Sequence, residues 1–142
     1  MRRFIANSKA SAYIHIMEDF ENIPPQIAAA MIEAGECYVI DVRTAEEFIQ
    51  HRIAGAHLLP IQELQERHAE IPRDADKKLL ILCEHGVRSV SACHALADHG
   101  WKNIINMSGG MAVWIDCGLP VSSGTDADRK DLRPPGTQPY LR

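Results

Sequence analysis

Cys83 closes a run of apolar residues, and Arg88 and Ser89 follow it in the segment CEHGVRS. A cysteine at the junction of a strand and a helix can act as a nucleophile when its surroundings favour negative sulfur. Three such influences meet here. Gly86 allows a backbone conformation that most residues avoid, so successive N–H groups of the turn can converge on one point as an anion nest. The helix that begins near Ser89 directs the positive end of its dipole at the same point. Arg88 adds a full charge where it points inward. The same groups would cradle a negative sulfur or oxyanion attached to Cys83. The loop therefore suits covalent chemistry, in which a thiolate accepts a group and passes it to a second nucleophile.

Competing chemistries fit less well. A cysteine phosphatase or arsenate reductase loop needs five residues between Cys and Arg to seat a tetrahedral oxyanion. Here four intervene, Glu84, His85, Gly86 and Val87, and the smaller ring suits a single sulfur atom. A non-catalytic or regulatory binding module is the other alternative. Asp41, Arg43 and Glu47 read as an ion-pair network that fixes a strand to the following helix, with Asp41 bordering the site. None of the seven histidines has metal-ligand spacing. His85 differs from the rest because it lies inside the loop, where it can steer a substrate. Cys37 and Cys93 read as structural or surface thiols, Cys117 lies near the end of the domain with resolution of an oxidised Cys83 as its alternative role, Trp101 and Trp114 read as packing residues, and Gly109-Gly110 as a tight turn.

The elements that position Cys83 follow from period and punctuation. Pro24 and Pro25 suit a helix start, with Ile27, Ala30, Met31 and Ala34 expected on its inward face and Gly35 as the stop. CYVIDV reads as a buried strand. TAEEF reads as a capping box, Thr44 with Glu47. GAHLLP is a short strand. IQELQERHAEI predicts one amphipathic helix with Ile61, Leu64, His68 and Ile71 near one side. KLLILC is a continuous apolar run, as in a strand covered on both faces. SVSACHALADHG is a helix stopped by Gly100, NIINM a strand, and SGGMAVWIDCG a glycine turn and short helix. Alternating strands and helices indicate an α/β domain with a mainly parallel sheet. Sites in such sheets lie at the carboxyl ends of the strands, where Cys83 stands.

The totals agree with one globular domain: 142 residues, 46% hydrophobic and 24% charged. A net charge of -4 provides no basic excess to drive nucleic-acid binding. No apolar run approaches transmembrane length, and no apolar segment of a signal peptide follows Met1-Arg2-Arg3. Four cysteines without a C-x-x-C pair suit a reducing compartment, so a cytoplasmic location is expected.

The pattern C-x-x-G-x-R-S at residues 83–89 resembles the active-site loop of the rhodanese-like sulfurtransferases. Four further segments agree in order: IDVRTAEEF (40–48), RIAGAHLLP (52–60), NMSGGMAVW (106–114) and GLPV (118–121). The resemblance covers residues 23–121 in one copy, leaving residues 1–22 as an N-terminal extension and 122–142 as a flexible tail. It implies a rhodanese-like three-layer fold, with a central, mainly parallel five-stranded sheet flanked by helices. It also implies an activity: a sulfane sulfur moves from thiosulfate or a persulfide to a thiol or cyanide through a Cys83 persulfide. The loop residues Glu84, His85, Gly86, Val87, Arg88 and Ser89 would hold the outer sulfur and the donor, and Arg88 would bind an anionic donor. Asp41, Arg43 and Glu47 would support the site. No metal or organic cofactor is implied. The implied partners are small sulfur donors and thiol acceptors, a sulfur-carrier protein or a thioredoxin-like reductant, with no nucleic acid and no membrane. Either a monomer or a homodimer fits.

Two departures stand out. The family often has Gly-His where this chain has His51-Arg52, a change expected to affect only a structural turn. Many thiosulfate-preferring loops carry a basic residue where this one has Glu84. That acid is expected to repel a doubly charged donor.

Overall fold

The computed structural model describes residues 19–73 and 76–124. Its elements run β1 (Glu21–Ile23), α1 (Pro25–Glu33), β2 (Cys37–Asp41), α2 (Ala45–Gln50), β3 (His57–Leu58), α3 (Leu64–Arg67), β4 (Lys78–Leu82), α4 (Arg88–Asp98), β5 (Ile104–Met107) and α5 (Gly110–Asp116). The five strands form one sheet in the order β1-β5-β4-β2-β3, and every pair is parallel. Side chains of β4 alternate between two cores. Leu79 and Ile81 pack with Leu64, Ile71, Ala92 and Leu96 on one face. Leu80 and Leu82 pack with Ala28, Phe48, Met111 and Trp114 on the other. Helices thus cover both faces, which explains why β4 reads as an unbroken apolar run. The three-layer α/β expectation holds, with a sheet that is wholly parallel.

Local signals place the helix ends. Pro25 occupies the first turn of α1, where a missing N–H leaves no bond unmade. At its far end Gly35, at φ +73°, donates to Ile32 O (3.0 Å), and Glu36 donates to Met31 O (2.9 Å). This is a Schellman termination. The capping box of α2 is complete: Glu47 N donates to Thr44 Oγ1 (3.2 Å) and Thr44 N to Glu47 Oε1 (2.9 Å).

Three expectations are corrected. The inward face of α1 carries Pro25, Ala28, Ala29 and Ile32, while Ile27 stays 50% exposed and Ala30 and Ala34 face solvent. Small alanines on the inner stripe let α1 lie close to α5, and only Met31 of the expected set packs on the core. The segment after Pro60 is not one helix. It is a 3-10 turn (Ile61–Glu63), the single α-turn of α3, and a second 3-10 turn (His68–Glu70). Pro60 and Pro72 bound it, and Arg67 ties it down by donating to Glu63, Glu70 and Leu58 O. Leu64 and Ile71 are nonetheless buried, as their spacing predicted.

The third correction concerns the ends of the packed chain. Glu21–Ile23 form an edge strand on β5, and Phe20 is buried, edge-on to His94 at 5.0 Å. Three residues, two of them exposed, leave no strand period to read. At the other end Arg52 and Ser122 exchange backbone bonds (2.9 and 2.8 Å), and Gly124 N donates to Ile49 O (3.0 Å). Packing therefore runs from Phe20 to Gly124, past the 23 and 121 boundaries on both sides. The remainder of the N-terminal extension and of the tail lies outside the described residues. Among the described residues no helix is long and apolar enough to cross a membrane.

Candidate active site

Strands β2 and β4 are neighbours, but their continuations part. The chain leaves β2 through α2 for β3 on one side, and leaves β4 through α4 for β5 on the other. Right-handed crossovers in opposite directions place these helices on opposite faces. A crevice opens at the carboxyl ends of the two strands, the topological switch point of the sheet. Asp41 and Arg43 arrive there from β2, and Cys83 from β4.

The thiol lies at the floor of this crevice, 1% exposed. Two backbone amides aim at it: Gly86 N is 3.1 Å and Ser89 N 3.2 Å from Cys83 Sγ. Ser89 Oγ, fully buried, is 3.3 Å from the same sulfur. Ser89 belongs to the first turn of α4, so the helix end and the nest act on one atom. Gly86 has φ +90°, and a Cβ there would lie 3.2 Å from Gly109 N. Glycine is needed at this point both for the turn and for that close approach. His85 and Val87 face outward from the loop, Val87 being 74% exposed.

A support that the sequence did not reveal lies behind the loop. The first amides of α5 turn toward it: Met111 N donates to Cys83 O (2.9 Å) and Ala112 N to Glu84 O (3.0 Å). Gly110, at φ +63°, makes this contact possible, because a Cβ there would fall on the Cys83 carbonyl oxygen. The Gly109-Gly110 turn is therefore also the seat of the cysteine loop. A Gly pair alone carries no sign of what lies across it.

The charged residues gather around the crevice, but with different partners from those expected. Arg43, fully buried, holds both oxygens of Asp41 (2.8–3.2 Å) and also reaches Glu84 Oε1 (3.1 Å). Its remaining bonds go to the carbonyls of Glu47 and His51. Burial pushes the Asp41 carboxyl up, and the hydrogen bonds from Arg43 oppose that rise. The Glu47 side chain does not join Arg43. It takes a bidentate pair from Arg88, 2.9 Å on each oxygen. The network thus ties β2 and α2 to the cysteine loop, beyond fixing the strand to its own helix. Arg88 is thus paired with Glu47, and Glu84 with Arg43.

Arg88 and the Thr44 cap hold the Glu47 carboxyl down, from 4.5 to about 2. A carboxyl depressed on folding adds stability that is fully present above its ordinary value and is lost as pH falls through the folded one. Glu47→Gln should therefore unfold at lower urea than the parent at pH 7. The gap should narrow below pH 4.5 and close near pH 2. A gap that stays constant across that range would show that Glu47 does not carry this charge linkage.

Burial pushes Cys93 up to about 12 and Cys37 up to about 11. Both suit inert packing positions. Cys117 is exposed and accepts a bond from Gln26 Nε2 (3.1 Å).

The family model of the rhodanese-like domain matches residues 24–117. The chain belongs to the rhodanese-like family. Its rhodanese-like domain is 33% identical over 103 residues to a sulfurtransferase of Allochromatium vinosum, covering 72% of this chain and 91% of that one. It is 34% identical over 107 residues to the thiosulfate sulfurtransferase GlpE of Actinobacillus succinogenes, covering 73% and 92%. A crystal structure of a rhodanese-related protein from Thermoplasma volcanium superposes with a TM-score of 0.67 at 35% identity, covering 72% and 98%. The rhodanese-like match takes in the whole crevice, from the carboxyl end of β2 to α5.

Proposed function

We propose that the protein is a sulfurtransferase that carries sulfane sulfur on Cys83. The observation that carries this reading is the pair of amides on Cys83 Sγ, at 3.1 and 3.2 Å. They would stabilise negative charge that forms on the sulfur and follow it outward onto a second sulfur. With thiosulfate, Sγ attacks the outer sulfur. The new S–S bond forms as the bond to the sulfonate breaks, and sulfite leaves with the electron pair. An acceptor thiolate then attacks the outer sulfur of the persulfide, and Cys83 departs as a thiolate. Cyanide in place of the thiol yields thiocyanate. Two half-reactions on one nucleophile predict ping-pong kinetics.

The surroundings bear on the donor. Three carboxylates, Asp41, Glu47 and Glu84, face two guanidinium groups, Arg43 and Arg88, leaving one negative charge at the mouth. Neutral amides therefore do the binding, and Val87 adds an exposed apolar face to the loop. This favours an organic persulfide over the thiosulfate dianion. A thiol, free or carried on a thioredoxin-like or sulfur-carrier protein, is the acceptor. Intact mass tests the reading. Incubation with thiosulfate or an organic persulfide should add one sulfur atom, and cyanide should remove it. Unchanged mass with both donors would eliminate sulfur carriage.

A further inference from the structure

His51 ends α2 and stands against the same carboxylate that Arg43 holds. Its Nε2 is 3.7 Å from Glu84 Oε1, the oxygen that accepts from Arg43 Nη1 at 3.1 Å. That ring nitrogen is buried and makes no hydrogen bond, while the side chain as a whole keeps 28% exposure. Its backbone is fixed on both sides: His51 N donates to Glu47 O (3.2 Å), and His51 O accepts from Arg43 Nη2 (2.7 Å).

We propose that His51 is a specificity-determining residue whose protonation pairs it with Glu84, balances the charge at the mouth and favours doubly charged sulfur donors. The inference rests on the sulfur-transfer reading above. Glu84 from the cysteine loop faces the His51 ring, Arg43 from the end of β2 bonds both Glu84 and the His51 carbonyl, and Glu47, paired with Arg88, accepts the His51 N–H at its own carbonyl. Together with Asp41 they sum to one negative charge when His51 is neutral. A proton on His51 brings that sum to zero. The added charge acts on the donor through space, so a dianion gains about twice as much as a monoanion.

The test compares thiosulfate with methanethiosulfonate, a monoanion that gives up the same kind of sulfur and releases methanesulfinate. The readout is the ratio of their kcat/KM values from pH 5.5 to 8.5 at low salt. In the parent protein the ratio should rise on the order of threefold toward acid pH. His51→Gln should flatten the profile at the alkaline value, and His51→Arg should flatten it at the acid value. A purely structural role would scale both donors alike and leave the pH profile of the ratio in place. Parent-like profiles in both variants overturn the proposal. So does a parent ratio that is level with pH. If neither donor adds sulfur to Cys83 by mass, the sulfur-transfer reading fails and this proposal with it. A level ratio with normal sulfur loading refutes the role of His51 alone.

Discussion

Cys83→Ser should lose all measurable sulfur transfer and keep its fold. A hydroxyl fits the space of the thiol, can bond Ser89 Oγ, and can accept from Gly86 N and Ser89 N, the groups that now face the sulfur. No buried donor is left without a partner, so the stability change should stay within about 1 kcal/mol. What disappears is the nucleophile. A serine hydroxyl with no adjacent base is a poor attacker, and no other sulfur lies in the nest. Cys93 and Cys37 are held as thiols by burial, and Cys117 is on the surface beside Gln26. Thiocyanate release with thiosulfate and cyanide measures turnover, and thermal unfolding measures the fold. Turnover near that of the parent in a folded Cys83→Ser protein would require a different sulfur carrier.

Gly110→Ala should damage both stability and activity, although the residue contributes no chemistry. An alanine at φ +63° costs about 1–2 kcal/mol in backbone strain alone. Its Cβ would fall on Cys83 O and lie 2.5–2.6 Å from Glu84 O and C. These are backbone atoms, so no side-chain rotation relieves the clash. Either α5 or the cysteine loop must retreat, weakening the bonds from Met111 N to Cys83 O and from Ala112 N to Glu84 O. Each group left without a partner costs about 1–3 kcal/mol. The total expected is roughly 3–5 kcal/mol, which lowers the melting temperature by about 10–20 °C. Activity should fall about a hundredfold below the melting transition, since a shift near 1 Å in a positioned nucleophile has that effect. Parent-like turnover at 20 °C together with a lowered melting temperature would separate the two roles and show that the loop keeps its shape without α5.

Much of this molecule is set locally. The proline start and Gly35 stop of α1, the Thr44–Glu47 box and the Gly100 stop of α4 each involve neighbours within a turn of chain. Their bonds are the ones the residue order predicts. The cysteine nest is local as well. Gly86 and Ser89 lie within six residues of Cys83, so their convergence on Sγ depends on one turn entering one helix. For the same reason the parallel α/β class was legible: it requires only that strand and helix periods alternate.

The tertiary structure decided what meets across the crevice. Arg43 to Glu84 and Glu47 to Arg88 each span 41 residues, and no pattern along the chain chooses between Glu47 and Glu84 as the partner of Arg43. The α5 amides on the Cys83 and Glu84 carbonyls, and His51 beside Glu84, depend likewise on how the sheet orders its strands. The edge strand β1 is ordered by β5 rather than by its own three residues. The turns around α3 shorten because its chain must fit between Pro60 and Pro72. Short-range hydrogen bonds and periodicity are written in residue order, whereas charge pairing in a crevice depends on which strand ends the packed cores bring together.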